Sequence, residues 1–303
     1  MRILGHLHTF NDEDVIDRSL RALLEQTVPL DRIVIVDNGS TDSTLDRSFL
    51  PVVDVIRHPA NTGTSGAVIS GMRYALQHEF DWLWVFDGDS APRPEALERL
   101  LAFHATLSPQ ERERVQILAS VDAAVIGGEY GVRFSTGGCQ PVRLDPTSQA
   151  QVCEAVMWSG SLFRLEAVRE IGLPSADYVL DCGEFQYGYL GTRCGYKTYV
   201  VPSSLFDHNI GGQPSLRVRR VRLGPLSFQV MEFPPIRMYY LIRNNIYFWC
   251  HEYHERAWKM CARLIMRSFS VELVLLLLGR HAQAAAAWRG IWDGLLGRMH
   301  RRY

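Results

Sequence analysis

Six cysteines are scattered through 303 residues, at 139, 153, 182, 194, 250 and 261, and no two form a C-x-x-C pair. That leaves no zinc-type spacing and no redox motif, so they read as reduced thiols of a cytoplasmic protein. A long apolar run is missing too. The longest, Leu273–Leu278, falls far short of the roughly 20 residues a membrane span needs. The first residues, MRILGHLHTFNDED, turn polar too soon for a secretory signal. Net charge is only −1, which gives no general reason to expect nucleic-acid binding. No internal repeat is visible. The charge that exists is unevenly spread. From Arg237 to the end eleven Lys/Arg stand against four Asp/Glu, so the tail carries +7 and the rest −8. Such asymmetry points the tail toward an anionic surface.

What is present is a chain 47% hydrophobic, enough for one large domain or a domain with an appendage. Its most informative stretch is Asp81–Pro94, DWLWVFDGDSAPRP. Trp82–Phe86 is an unbroken apolar run that suits a strand covered on both faces. It stops at Asp87 and Asp89, and Gly88 between them lets the backbone bend. Pro92 and Pro94 predict the start of a helix, since proline fits a first turn. Two oxygen ligands at a strand end suit Mg²⁺ or Mn²⁺ shared with nucleotide phosphates. An acidic turn without a metal reads equally well from this stretch alone.

Around that stretch, strand and helix alternate. Ile3–Leu7, Ile33–Val36, Val52–Ile56 and Trp82–Phe86 read as strands. Val15, Ile16, Leu20, Leu23 and Leu24 recur at helical spacing, with Asn11 or Asp12 available as a cap. The expected class is α/β, a mixed, mostly parallel sheet flanked by helices. Ligands on such sheets sit beyond the carboxyl ends of the strands. Four polar turns fall there: Thr9–Asn11, Asp37–Asn38, Asn61–Gly66 and Asp87–Asp89. Gly63 and Gly66 open a helix whose amides suit a phosphate or a polar ring. The turn is neither a Walker loop nor G-x-G-x-x-G, and each turn taken singly could be ordinary βα punctuation.

Together the motifs T-F-N (9–11), V-D-N-G-S-T-D (36–42), N-T-G-x-x-G (61–66) and D-G-D (87–89) resemble the family 2 glycosyltransferases of GT-A fold. Within them they most resemble the rhamnosyl- and galactofuranosyltransferase-like branch. The resemblance runs from Met1 to about His208 and weakens beyond. It implies that Asp37 recognises the nucleotide base, with Phe10 and Asn11 flanking it. Asn61 and Gly66 would line the nucleotide pocket, with Thr9, Asn38, Gly63 and Gly88 in the same set. Asp87 and Asp89 would hold the metal and the ribose-diphosphate, Asp89 most directly on the ion. Trp158, Ser159 and Gly160, a W-S-G segment, would sit beside the donor sugar and acceptor. Trp158 could stack on a sugar face or fill the core. Asp181, with Glu184 as the alternative, would be the general base, although the same pair could simply cap a helix. An Arg expected shortly afterwards is replaced by Tyr189-Leu190. His208 would be the third metal contact.

The resemblance therefore implies an inverting, metal-dependent enzyme that uses Mn²⁺ or Mg²⁺. It would move a hexose such as rhamnose or galactofuranose from a UDP- or dTDP-sugar to a glycan or lipid-linked acceptor. Three regions are expected: 1–208 catalytic, 209–235 a basic loop serving as a lid, and 236–303 amphipathic helices. The Y-Y-x-x-R-N stretch at 239–244 also resembles the family. Basic, aromatic helices suit peripheral contact with the inner face of the plasma membrane, or packing and a homo-oligomer contact. A sugar-1-phosphate nucleotidyltransferase would need a G-x-G-T-R-like loop that Gly5–Asn11 lacks. A non-catalytic sugar-nucleotide binder is the remaining alternative.

Overall fold

The computed structural model describes residues 1–46, 53–135, 138–210, 217–223, 226–253 and 258–299. Side chains of 211–232 lie outside the described set. The chain divides into two compact units. The first holds Met1–Phe134, Cys139–Ala176 and Tyr187–Gly212; the second holds Ser135–Gly138, Asp177–Gln186 and the chain from 213 on.

The first unit begins with β1 (Ile3–Thr9), α1 (Ile16–Leu24), β2 (Arg32–Asp37), β3 (Asp54–Arg57), α2 (Gly63–Gln77) and β4 (Trp82–Asp87). Then follow β5 (Ala91–Pro92), α3 (Ala96–Thr106), α4 (Pro109–Glu113), β6 (Val115–Asp122), β7 (Glu129–Ser135) and β8 (Gly138–Arg143). The series continues through β9 (Gln151–Cys153), β10 (Ser161–Arg164), α5 (Leu165–Ile171), α6 (Gly183–Arg193), whose residues up to Gln186 belong to the second unit, and β11 (Lys197–Asp207). Among the described residues, one sheet runs β3-β2-β1-β4-β10-β6-β11-β5, with β9 on β11. β1 lies between β2 and β4, parallel to both, so Thr9 pairs with Asp37 and His8 with Asp87. This register brings three polar strand ends to one rim. β10 enters antiparallel between β4 and β6. The result is a mixed, mostly parallel sheet of GT-A-like architecture.

Two layers of core explain why these runs form inner strands. Leu4, Val34, Leu83 and Val85 pack on one side with Val68 and Met72 of α2. Ile3, Leu7, Ile35, Trp84 and Phe86 pack on the other with Leu20 of α1 and Leu97 of α3. Both faces are covered, as continuous apolar runs require. The close approach of α2 to β1 depends on Gly71: a Cβ there would stand 2.3 Å from Cδ2 of buried His6.

Several local expectations are corrected. Pro92 and Pro94 do not open a helix; Pro92 lies in β5 against Phe206, and α3 begins at Ala96. An edge strand tolerates proline because its missing N–H is not needed there. α1 carries no side-chain cap, since the Asp12 carboxylate turns to Thr9 and Phe10. β11 runs through Pro202, with a register irregularity between Val200 and Leu205, and ends directly before His208. The stretch expected as a basic loop forms β12 (Arg217–Leu223) and β13 (Leu226–Glu232), an antiparallel ribbon. Arg217, Arg219, Arg220 and Arg222 belong to β12, and their side chains lie outside the described residues.

The second unit adds α7 (Pro235–Tyr247), α8 (Trp258–Leu277) and α9 (His281–Leu295). Met238, Ile242, Ile246, Val274, Leu275, Ala287 and Ile291 form its core. Gly290 and Gly294 let α9 approach α7 closely, because a Cβ at either would meet a backbone carbonyl at 2.8 Å. Asp177–Gln186 belongs to this unit rather than to the first. Buried Arg243 donates to Asp177 O, and Asn244 Nδ2 donates to Leu180 O at 2.7 Å and Asp181 O at 2.9 Å.

Gly71→Ala tests the α2–β1 contact. Helix propensity alone favours alanine by about 1 kcal/mol, while overpacking costs about 1–3 kcal/mol. Urea unfolding should therefore show a net loss of up to about 2 kcal/mol. A net gain would mean that the His6 ring yields easily.

Candidate active site

Asp87 is the last residue of β4, and Asp89 follows two residues later in the turn. His208 follows β11, whose end is held by β5. One ligand atom from each of Asp87, Asp89 and His208 can be chosen so that all lie within 4.8 Å of one another. His208 Nδ1 stands 3.6 Å from Asp89 Oδ1. Two carboxylate oxygens and an imidazole nitrogen at this spacing suit an octahedral divalent ion such as Mn²⁺ or Mg²⁺.

A hydrogen-bonded chain links the end of β4 to His208. The Asp87 amide donates to Ser159 Oγ at 3.3 Å, and Ser159 donates to Ser90 Oγ at 3.0 Å. Ser90 Oγ lies 2.7 Å from His208 Nδ1. The same Nδ1 lies 3.6 Å from Asp89 Oδ1, so the serine pair holds the imidazole ring beside the carboxylates.

His8 supports the cluster from β1. Its Nε2 donates to Asp87 Oδ1 at 2.8 Å. Burial opposes charge on Asp87, but the charge and hydrogen bond of His8, followed by His208, outweigh it and hold its pKa below the usual value. Burial also opposes charge on His8, yet Asp87 raises its pKa. His6 behaves oppositely: burial, then the charge of His8, lowers it to about 3. Asp89 is pushed up by burial, against the opposing pull of His208. One carboxylate is thus pre-charged, while the other is held back by desolvation.

The neighbouring turns are tied together. The Asp12 carboxylate accepts from Thr9 Oγ1 at 2.7 Å and Phe10 N at 3.1 Å. Gly88 leaves room for the Asp12 carboxylate, because a Cβ there would stand 2.1 Å from Asp12 Oδ2 and displace it. Asn11, at φ 58°, accepts from Thr41 N at 2.8 Å. Asp37 is buried and accepts from Ser40 N at 3.1 Å. Asn38 is a structural tie: Oδ1 accepts from Thr62 Oγ1 at 2.8 Å and Nδ2 donates to Gly63 O at 3.1 Å. Asn61 accepts from Gly63 N at 2.8 Å, and Gly63 has φ +73°. Gly66 leaves room for Thr62 Oγ1, which would be 2.3 Å from a Cβ. Phe10 remains 44% exposed at the rim.

Trp158 is corrected from sugar platform to core. It is 2% exposed and packs edge-on to Phe163. Ser159 belongs to the Asp87–His208 chain just described. Gly160 has φ +81°, and its carbonyl accepts from Ser120 N at 2.9 Å. The W-S-G segment therefore turns the chain into β10 beneath the carboxylates.

Asp181 and Glu184 lie in the second unit. Asp181 has φ 59°, and Arg237 Nη2 donates to its Oδ1 at 3.2 Å and Nε to Oδ2 at 3.3 Å. Glu184 is half-buried in the first turn of α6. The Y-Y-x-x-R-N stretch is what grips this loop, through Arg243 and Asn244. Sequence reasoning missed His8, Ser90 and Arg237. The alternation H-L-H in β1, reaching the rim next to D-G-D, was the available signal for His8.

Residues 7–109 match the Glycosyl transferase family 2 description. Undecaprenyl-phosphate mannosyltransferase of Micrococcus luteus is 26% identical over 249 residues, 78% of this chain and 88% of that protein. Among solved structures, mannosyltransferase PcManGT of Pyrobaculum calidifontis, with GDP-Man and Mn²⁺, aligns at TM-score 0.57 and 14% identity. It covers 98% of this chain and 88% of its own. GalNAc-T7 with UDP, GalNAc and Mn²⁺ aligns at TM-score 0.57 and 17% identity, over 70% of this chain, which spans 45% of GalNAc-T7. The segment matching that family carries the Asp37 and Asp87–Asp89 strand ends, and with the relatives it supports a glycosyltransferase.

Partners that orient a metal ligand are typically worth about 10–100-fold in metal affinity. His8→Leu should therefore weaken Mn²⁺ binding by roughly that factor in a titration followed by the paramagnetic signal of free Mn²⁺. Unchanged affinity would remove His8 from the site.

Proposed function

We propose that the chain transfers a hexosyl group from a nucleotide-diphospho-sugar to a lipid-linked or glycan acceptor, with inversion at the anomeric carbon. The observation that carries this is the Asp87–Asp89–His208 cluster on the same strand rim as Asp37. Asp87, Asp89 and His208 would hold Mn²⁺ or Mg²⁺. When bound, the ion supplies positive charge that stabilises the leaving diphosphate. Asp37, behind the Ser40 turn, is suited to accept from a base N–H, and exposed Phe10 offers a ring face beside it. The hydrogen bonds of Asn38 and Asn61 keep the opening of α2 in shape for polar groups of the nucleotide.

Acceptor activation is assigned to Asp181, with Glu184 as the alternative. A carboxylate would take the hydroxyl proton as that oxygen attacks the anomeric carbon. Arg237 donates to both carboxylate oxygens of Asp181 and orients them within their own unit. A second reading concerns the acceptor. The relative of Micrococcus luteus is named for undecaprenyl phosphate, and a phosphate is already ionised at neutral pH and needs no base. That relative also adds mannose to rhamnose and galactofuranose as donor sugars for trial, and the GDP-Man held by PcManGT adds GDP to UDP and dTDP as carriers. Lipid-linked acceptors and nucleotide sugars meet at the cytoplasmic face of a membrane, the setting this reading implies.

Two substitutions test these assignments. Asp89→Ala should abolish metal-dependent donor turnover across a panel of nucleotide sugars, a loss of at least about 100-fold. Retained turnover would remove the cluster from the chemistry. Asp181→Asn should reduce transfer to a hydroxyl acceptor by about 10²–10⁴-fold if it is the base. Near-normal transfer to a polyprenyl phosphate by the same variant would favour the phosphate acceptor. Loss on Glu184→Gln with Asp181→Asn active would move the role to Glu184.

A further inference from the structure

The second unit exposes a continuous apolar surface that its own core does not use. On α8, Trp258, Met266, Phe269, Leu273 and Leu276 recur at separations that keep them on one side of the helix, and all are exposed. Trp258 is 67% exposed and Leu273 is 58% exposed. On α9 and at its C-cap, Trp288, Trp292 and Leu296 recur every four residues and are likewise exposed. The Phe269 and Trp288 rings meet at 5.8 Å, and Trp288 meets Trp292 at 5.7 Å. The two stripes therefore join.

Charge surrounds this surface asymmetrically. Lys259, Arg263 and Arg267 repeat every four residues along α8, one residue beyond Trp258, Ala262 and Met266. Arg289 and Arg298 are exposed on α9 and just after it. The acidic residues of 258–299 are Glu272, half-buried, and Asp293, which is buried and accepts from Tyr239 Oη at 2.8 Å. No helix among the described residues is long and apolar enough to cross a membrane.

We propose that the joined α8–α9 face docks in the interfacial layer of an anionic lipid bilayer, its aromatic and aliphatic side chains inserted and its cations against the headgroups. Charge decides between this occupant and a second copy of the chain. A symmetric pair would press two like-charged rims together, whereas an anionic surface attracts both. Tryptophan rings favour the headgroup boundary, where one edge stays wet. Lysine and arginine stems reach along apolar surface while keeping their charge in water. The inference stands apart from the choice of donor and acceptor, because binding is read without turnover.

The test is flotation of the full chain with phosphatidylcholine vesicles, alone or mixed with phosphatidylglycerol, at low and high salt. Binding should require phosphatidylglycerol and fall with salt. Lys259→Gln/Arg263→Gln/Arg267→Gln should weaken partitioning by about 100-fold. Trp288→Ser/Trp292→Ser should abolish flotation while leaving turnover of soluble donor unchanged. Leu273→Gln serves as a second apolar variant if the double tryptophan change fails to fold. Equal binding to both vesicle types, no binding, or an unaffected triple-Gln variant would overturn the proposal. So would a dimer in light scattering that dissociates on Trp288→Ser/Trp292→Ser, since it would assign the face to a second copy.

Discussion

Two carboxylates at one strand end repel each other, and much of the first unit is arranged around that fact. Their nearest ligand oxygens lie within 4.8 Å, so with an effective dielectric near 20 two such charges repel by at least about 3 kcal/mol. The fold offsets this with imidazoles from two strands. His8 comes from β1 and contacts Asp87; His208 follows β11 and faces Asp89. The sheet order makes both possible, because β1 lies beside β4 while β11 ends against β5 next to the acidic turn. Burial does the rest by raising the pKa of Asp89. A site built this way gains from a divalent cation, which replaces repulsion with shared attraction.

The same rim explains why the surrounding turns are so heavily cross-linked. Asp12 organises Thr9 and Phe10, Asn11 reaches Thr41, and Asn38 reaches Thr62 and Gly63. Each bond joins the loop after one strand to its own backbone or to the loop after a neighbour. Pre-organised loops lose less entropy on binding a flexible nucleotide sugar. Several residues of the expected donor set are therefore tied up in holding the rim, among them Asn38 and Gly66, while Asp37 and Phe10 remain the better placed for recognition.

The inner strands were legible because unbroken apolar runs have one good use in an α/β sheet, and D-G-D was legible because its residues are local. His208 was reached through resemblance, and the structure brings it to Asp87 and Asp89. Trp158 was ambiguous because a tryptophan in an apolar run serves a core and a rim equally well; the turn at Gly160 decides it. That the Asp177–Gln186 segment groups with the later helices was not legible, because its anchors, Arg243 and Asn244, stand some 60 residues away in sequence. The ribbon at 217–232 is a different kind of miss. Leu226, Phe228 and Val230 alternate with Ser227 and Gln229, a two-residue period that was overlooked among the arginines.

Anomalous diffraction from crystals grown with Mn²⁺ and a nucleoside diphosphate tests the central claim most directly. A manganese peak bridging Asp87, Asp89 and His208 to the diphosphate oxygens, with the base beside Asp37, is the predicted result. A diphosphate bound elsewhere, or at this rim with no manganese between it and the two carboxylates, would contradict it.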